Sequence, residues 1–90
     1  MSDTSKVLAD ASRAKALLED EMLQRIYEGL KATYYQQWFF TLPEEHAKRE
    51  RFWQAMHILQ IVQDHLRTFV EDGKTEKAHL DQVAYLKSHT

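Results

Sequence analysis

Thr41-Leu42-Pro43-Glu44 holds the only proline in the 90-residue chain, and its reading divides the sequence. Thr41 can cap a following helix while Glu44 reaches back to the same end, a capping box. Pro43 then falls in the first turn, where its missing N–H is harmless. A long helix is expected over residues 42–72. Its apolar stripe reads Phe52, Ala55, Met56, Leu59, Val62, Leu66, Phe69 and Val70 at helical spacing. Gly73 is expected just past its end, the usual place for a terminating glycine. Upstream of the break, residues 21–40 carry Leu23, Ile26, Tyr27, Leu30, Tyr34 and Trp38 at steps of three and four, which predicts one buried helical face. Gly29 interrupts that run, costs roughly 1 kcal/mol against Ala, and suits close approach by another helix.

Further out, residues 6–19 (KVLADASRAKALLE) are rich in helix formers. Asp20 then either caps the second helix, with Glu21 as acid in its first turn, or lets the first helix run straight through. Residues 74–90 are mostly polar, with Leu80, Val83, Ala84 and Leu86 marking a weakly helical tail. The expected fold is all-α: a single domain over 1–90, built as an antiparallel helical hairpin with an N-terminal helical arm. Each helix of a lone hairpin has one neighbour, so either the arm folds back as a third helix or the chain is oligomeric.

Composition narrows the function classes. Apolar residues make up 43% of the chain and charged ones 29%, which suits a soluble folded protein rather than a disordered one. Two Gly and one Pro are too few for the turns of a sandwich or barrel. No apolar run spans a membrane, and no basic-then-apolar leader follows Met1, so an intracellular setting is expected. Without cysteine there are no disulfides, thiolate metal sites or cysteine nucleophiles. A net charge of -2 offers no global attraction to DNA or an anionic membrane.

The apolar residues exceed what one face per helix can hide. Residues 34–40 (YYQQWFF) hold five of the ten aromatic side chains. On the long helix, Ile58 and Ile61 fall at or beyond one edge of the stripe, beside Gln54 and His65, and Trp53 falls off the other. Tyr35, Trp38, Phe39, Phe40, Trp53, Ile58 and Ile61 are therefore the candidate partner interface, because aromatic side chains concentrate at interface centres. The competing reading is that a three-helix arrangement buries them internally.

The densest basic segment, residues 47–51, makes Lys48, Arg49 and Arg51 candidate nucleic-acid contacts. Against that stand the interleaved Glu44, Glu45 and Glu50, with Glu45 and Arg49 at (i, i+4). Glu76-Lys77-Ala78-His79 has the Glu-x-x-His spacing of helical di-metal sites, and His46 with Glu50 is another pair. His57 and His65 lie too far apart for one ion, no closed ligand set assembles, and no metal or cofactor is expected. No phosphate loop or nucleophile elbow is present. Asp64 and His65 diverge by about 100° on a helix, and Ser12 and Ser88 have no activating base. Neither enzyme activity nor a small-molecule substrate is expected.

The pattern Arg13-Ala14, Leu17-Leu18, Asp20 and Leu23-Gln24 continues through Arg49-Glu50-Arg51-Phe52-Trp53-Gln54-Ala55, Leu59, Val62 and His65-Leu66 to Glu71-Asp72-Gly73-Lys74. It resembles small uncharacterised helical proteins of tailed bacteriophages encoded among virion and packaging genes, over residues 12–74. The resemblance implies an accessory, non-enzymatic part in particle assembly, whose partners are further copies and phage structural proteins. It places the chain in the host cytoplasm and in the virion, and supplies no catalytic or ligand residues. That pattern often carries Pro after the Asp20 position, where Glu21 stands here. Two other classes fit the same surfaces: a phage-encoded inhibitor or modulator of a host enzyme, and a DNA-packaging protein that binds nucleic acid.

Overall fold

Asp20 has extended backbone angles, φ -68° and ψ 118°, and its carboxylate accepts the Leu23 N–H at 2.8 Å. Of the two readings of this position, the cap is the one found. Such a cap is worth about 1 kcal/mol because it satisfies a donor left over at the helix start. In the computed structural model, which describes residues 2–88, the chain is all-helical: α1 (Ser2–Glu19), α2 (Glu21–Phe39) and α3 (His46–Ser88), with no strand among the described residues. No helix among them is long and apolar enough to cross a membrane.

The Pro43 break exists, but its chemistry is shifted by one residue. Phe40 N–H donates to Gln36 O and Thr41 N–H to Trp38 O, both at 3.1 Å, closing α2. The Thr41 hydroxyl donates to that same Trp38 carbonyl, so it is spent on the end of α2 and does not cap α3. Glu45, rather than Glu44, reaches back: its carboxylate accepts the Leu42 N–H at 2.8 Å while its own N–H donates to Leu42 O at 3.0 Å. Pro43 sits in the turn so formed, and α3 starts at His46 instead of Leu42.

The expected stop at Gly73 is also corrected. Gly73 has no left-handed φ and lies inside α3, which continues to Ser88 through the segment read as a weakly helical tail. A Cβ built there would collide with the Cβ of Ala11. The glycine marks a close approach of two helices, which tolerates no side chain.

The chain packs as two compact units: Met1–Leu18 with His65–Thr90, and Glu19–Asp64. In the first, Thr4, Val7, Ala11 and Leu18 of α1 are half-buried and Ala14 is 3% exposed, the one fully buried apolar residue among those described. Those positions alternate by three and four. On α3 the matching positions are Leu66, Val70, Gly73 and Glu76, and Thr4 donates its hydroxyl to the Glu76 carboxylate at 2.8 Å.

In the second unit, Leu23, Tyr27, Lys31, Tyr34 and Trp38 of α2 are half-buried, as are Arg49, Phe52, Met56, Leu59 and Gln63 of α3. Lys31 donates to Gln63 Oε1 at 2.8 Å and to Gln60 Oε1 at 3.3 Å. A lysine held this way inside a seam fixes register at a cost in stability. Half-buried positions 49, 52, 56, 59, 63, 66 and 70 of α3, with buried 73, follow an unbroken seven-residue repeat. That repeat departs from the predicted stripe: Val62 and Phe69 are 42% and 37% exposed, and Gln63 takes the seam position instead.

Candidate functional site

Positions 34 and 38 of α2 enter the seam, so positions 35 and 39 are turned about 100° out of it. Tyr35 and Phe39 therefore stand in the open, with ring centroids 6.4 Å apart and planes tilted by 28°. Phe40, the residue that caps α2, meets Phe39 edge-on at 5.3 Å and is 79% exposed. Trp38 differs from these neighbours. It is half-buried, and the Arg49 guanidinium lies 4.3 Å from its ring centroid. That cation–π contact assigns Trp38 to the structure of the turn.

Trp53 is 58% exposed and lines a cleft with Lys31, Met56, His57 and Gln60. Lys31 is one helical turn before Tyr35, so Trp53 extends the aromatic side of this unit. Ile58 lies about 140° around α3 from Trp53 and belongs to another side of the helix. Ile58 and Ile61 are exposed too, yet the seven predicted residues do not gather into one patch. Tyr35, Phe39 and Phe40 form one cluster, Trp53 adds to its side, and Ile58 with Ile61 lie apart on α3.

Another exposed apolar stretch was misread in the sequence. Ile26 and Leu30, assigned to the buried face, are 48% and 39% exposed, and Met22 one turn earlier is 57% exposed. The signal was present: a helix apolar at 22, 23, 26, 27 and 30 has more than one stripe's worth of hydrophobic residues.

The basic candidates are largely engaged within the turn. Arg49 Nη1 donates to Thr41 Oγ1 at 2.7 Å and to the Trp38 and Thr41 carbonyls at 3.4 and 3.5 Å. Lys48 Nζ lies 3.4 Å from Glu45 Oε2. Glu45 thus pairs with Lys48 at (i, i+3), while Arg49 turns to Trp38 and Thr41. The Leu42 N–H holds the Glu45 carboxyl below its ordinary value; burial opposes it more weakly, and Lys48 adds smaller effects in the same direction as Leu42. Arg51 is exposed.

Among the described residues no three His, Asp or Glu side chains come together as a metal site, and Glu76 is taken up by Thr4. What the arrangement offers chemically is apolar and aromatic surface for another molecule to cover. Comparison with protein-family models, with curated proteins and with solved structures finds no match for the chain.

Proposed function

We propose that the chain is a non-enzymatic assembly component, an accessory head or packaging protein of a phage particle, which docks on structural proteins through Tyr35, Phe39, Phe40 and Trp53. In this reading α2 and the first turns of α3 act as an antiparallel hairpin, presenting those rings from its turn end and one side. One observation carries the proposal. A folded protein of 10.7 kDa is expected to expose about 5,500 Å², and this chain exposes 7350 Å². Among the described residues, sixteen large hydrophobic ones contribute to that surface. Aromatic rings supply large contact area with few rotors to freeze, which favours them as anchors. Covering four such rings would contribute several kcal/mol of association energy at roughly 25 cal/mol per Å².

The test is incorporation. Particles of the encoding phage are purified and their proteins identified by mass spectrometry, with the natural chain and with Tyr35, Phe39 and Trp53 each replaced by Ser. Stoichiometric presence of the natural chain and loss of the triple variant is the expected result. A chain that never enters particles, or a triple variant that enters as well as the natural one, overturns the reading. Absence from particles together with a stable complex on a purified host enzyme would make it a modulator instead.

A further inference from the structure

Gly29 has no structural reason inside this chain. It sits in the middle of α2, where glycine costs roughly 1 kcal/mol relative to Ala, and a Cβ built there meets nothing within 4 Å. The only other glycine, Gly73, is equally helical, and its missing Cβ makes room for Ala11. The same device at position 29 faces open space.

The residues around Gly29 form a second seam. Met22, Ile26, Gly29, Thr33, Gln36 and Phe40 follow steps of four and three, and all are exposed. On the wheel their mean direction lies about 140° from the half-buried face of α2. The stripe contains no charged residue. Its one hydroxyl is satisfied internally, because Thr33 Oγ1 donates to Gly29 O at 2.9 Å and leaves the methyl group for packing. Arg25 lies along the rim with Nη2 3.7 Å from Met22 Sδ.

We infer that this stripe pairs with the same stripe of a second copy, the two α2 helices crossing at Gly29. An uncharged stripe asks for no opposite charge from its partner, and two copies meet on it without like-charge repulsion, as the depletion of charge in homodimer cores requires. The stripe's exposed side chains supply an interface core: Met22, Ile26 and Phe40 are 57%, 48% and 79% exposed along about five helical turns. Small residues at a crossing let backbones approach until the flanking Ile26 and Met22 side chains interlock. This pairing shares the interaction reading above, and Phe40 belongs to both surfaces, but Gly29 and Ile26 lie outside the set of Tyr35, Phe39 and Trp53, so the two can fail separately.

Light scattering on the purified full-length chain, from micromolar to several hundred micromolar, tests the inference. The expected mass is twice 10.7 kDa, falling at least tenfold more readily to monomer in Gly29→Leu. Helicity should be unchanged in that variant, since the side chain enters open space within one copy. Ile26→Glu should have the same effect, and Ile61→Glu, outside the stripe, should leave the mass unchanged. A natural chain that remains monomeric at the highest concentration, or a dimer indifferent to both Gly29→Leu and Ile26→Glu, overturns the inference. Particle incorporation through Tyr35, Phe39 and Trp53 would survive either outcome.

Discussion

The two packing units solve the same problem with opposite materials. In the unit of Met1–Leu18 and His65–Thr90, the contact is made by Ala11, Ala14 and Gly73, and the helices come so close that a single added carbon has no room. In the unit of Glu19–Asp64, the contact is made by Tyr27, Tyr34, Trp38, Phe52, Met56 and Leu59, with Lys31 and Arg49 bonded across it. The first gains its stability from proximity of backbones and fails by excess volume. The second gains it from large side chains and polar ties, and fails by their loss. A helix pair of either kind leaves much of its circumference wet, which is why apolar residues remain exposed in both.

The largest expected effect tests the small-residue unit. Gly73→Leu should cost roughly 3 kcal/mol or more, because the side chain must enter space held by Ala11. Thermal unfolding by circular dichroism measures the loss, and hydrogen exchange should show residues 3–18 losing protection first. Gly73→Ala sharpens the point: helix propensity gains roughly 1 kcal/mol while the methyl group collides, so a net loss shows that the collision outweighs the propensity gain. Ala11→Gly in the same chain should recover part of it. A Gly73→Leu protein as stable as the natural one would end the description of this unit as a close helix crossing.

Next in size is a pair of substitutions in the large-residue unit. Leu59→Ala should cost about 2 kcal/mol, the low end for a core leucine because Leu59 is half-buried. Ile61→Ala, at a residue 50% exposed, should stay within about 0.5 kcal/mol. Urea denaturation separates the two. Equal losses would mean that the seven-residue repeat of α3 has been assigned to the wrong face.

These residues also show how far the sequence could be read. The helical class and the break around Pro43 were legible, and the Asp20 cap stood as one of two readings, because capping oxygens and a proline act over three or four residues and leave a local mark. The role of Gly73 was not. A glycine near the end of an apolar run has the same local signature whether it stops a helix or admits another, and the deciding partner, Ala11, is 62 residues away. The site divided in the same way. Exposure of Tyr35, Phe39 and Trp53 followed from their angular position on single helices. Engagement of Trp38 and Arg49 depended on how the 40–45 turn brings α2 to α3, through a hydroxyl, Thr41, whose partners the sequence does not specify.

Arg49 provides the third test. Arg49→Lys keeps the charge but loses the fork that reaches Thr41 and the flat face that covers Trp38, and should cost about 1 kcal/mol. Exchange of the amides of Thr41 and Glu45 should quicken while those of the first unit are unaffected. If lysine were fully tolerated, the arginine would again be a candidate for an external anion, and Lys48, Arg49 and Arg51 would merit a salt-dependent DNA-binding measurement.

The smallest effect concerns Glu45 and acts only at the start of α3. Its carboxyl is held below the ordinary value of 4.5 by the Leu42 N–H, with help from Lys48. Lowered in the folded state, it contributes stability that is fully present above 4.5 and is lost as pH falls through the depressed folded value. Acidification should therefore loosen the Leu42–Glu45 turn through Glu45 itself. The Leu42 amide proton resonance is the direct readout, since its acceptor changes charge. It should titrate with a midpoint below 4.5, and in Glu45→Gln that step should vanish while the amide oxygen still accepts the bond. A midpoint at or above 4.5 would show that Leu42 does not donate to the charged carboxylate, and the turn would then be held by the Glu45 N–H on Leu42 O together with Arg49 and Thr41.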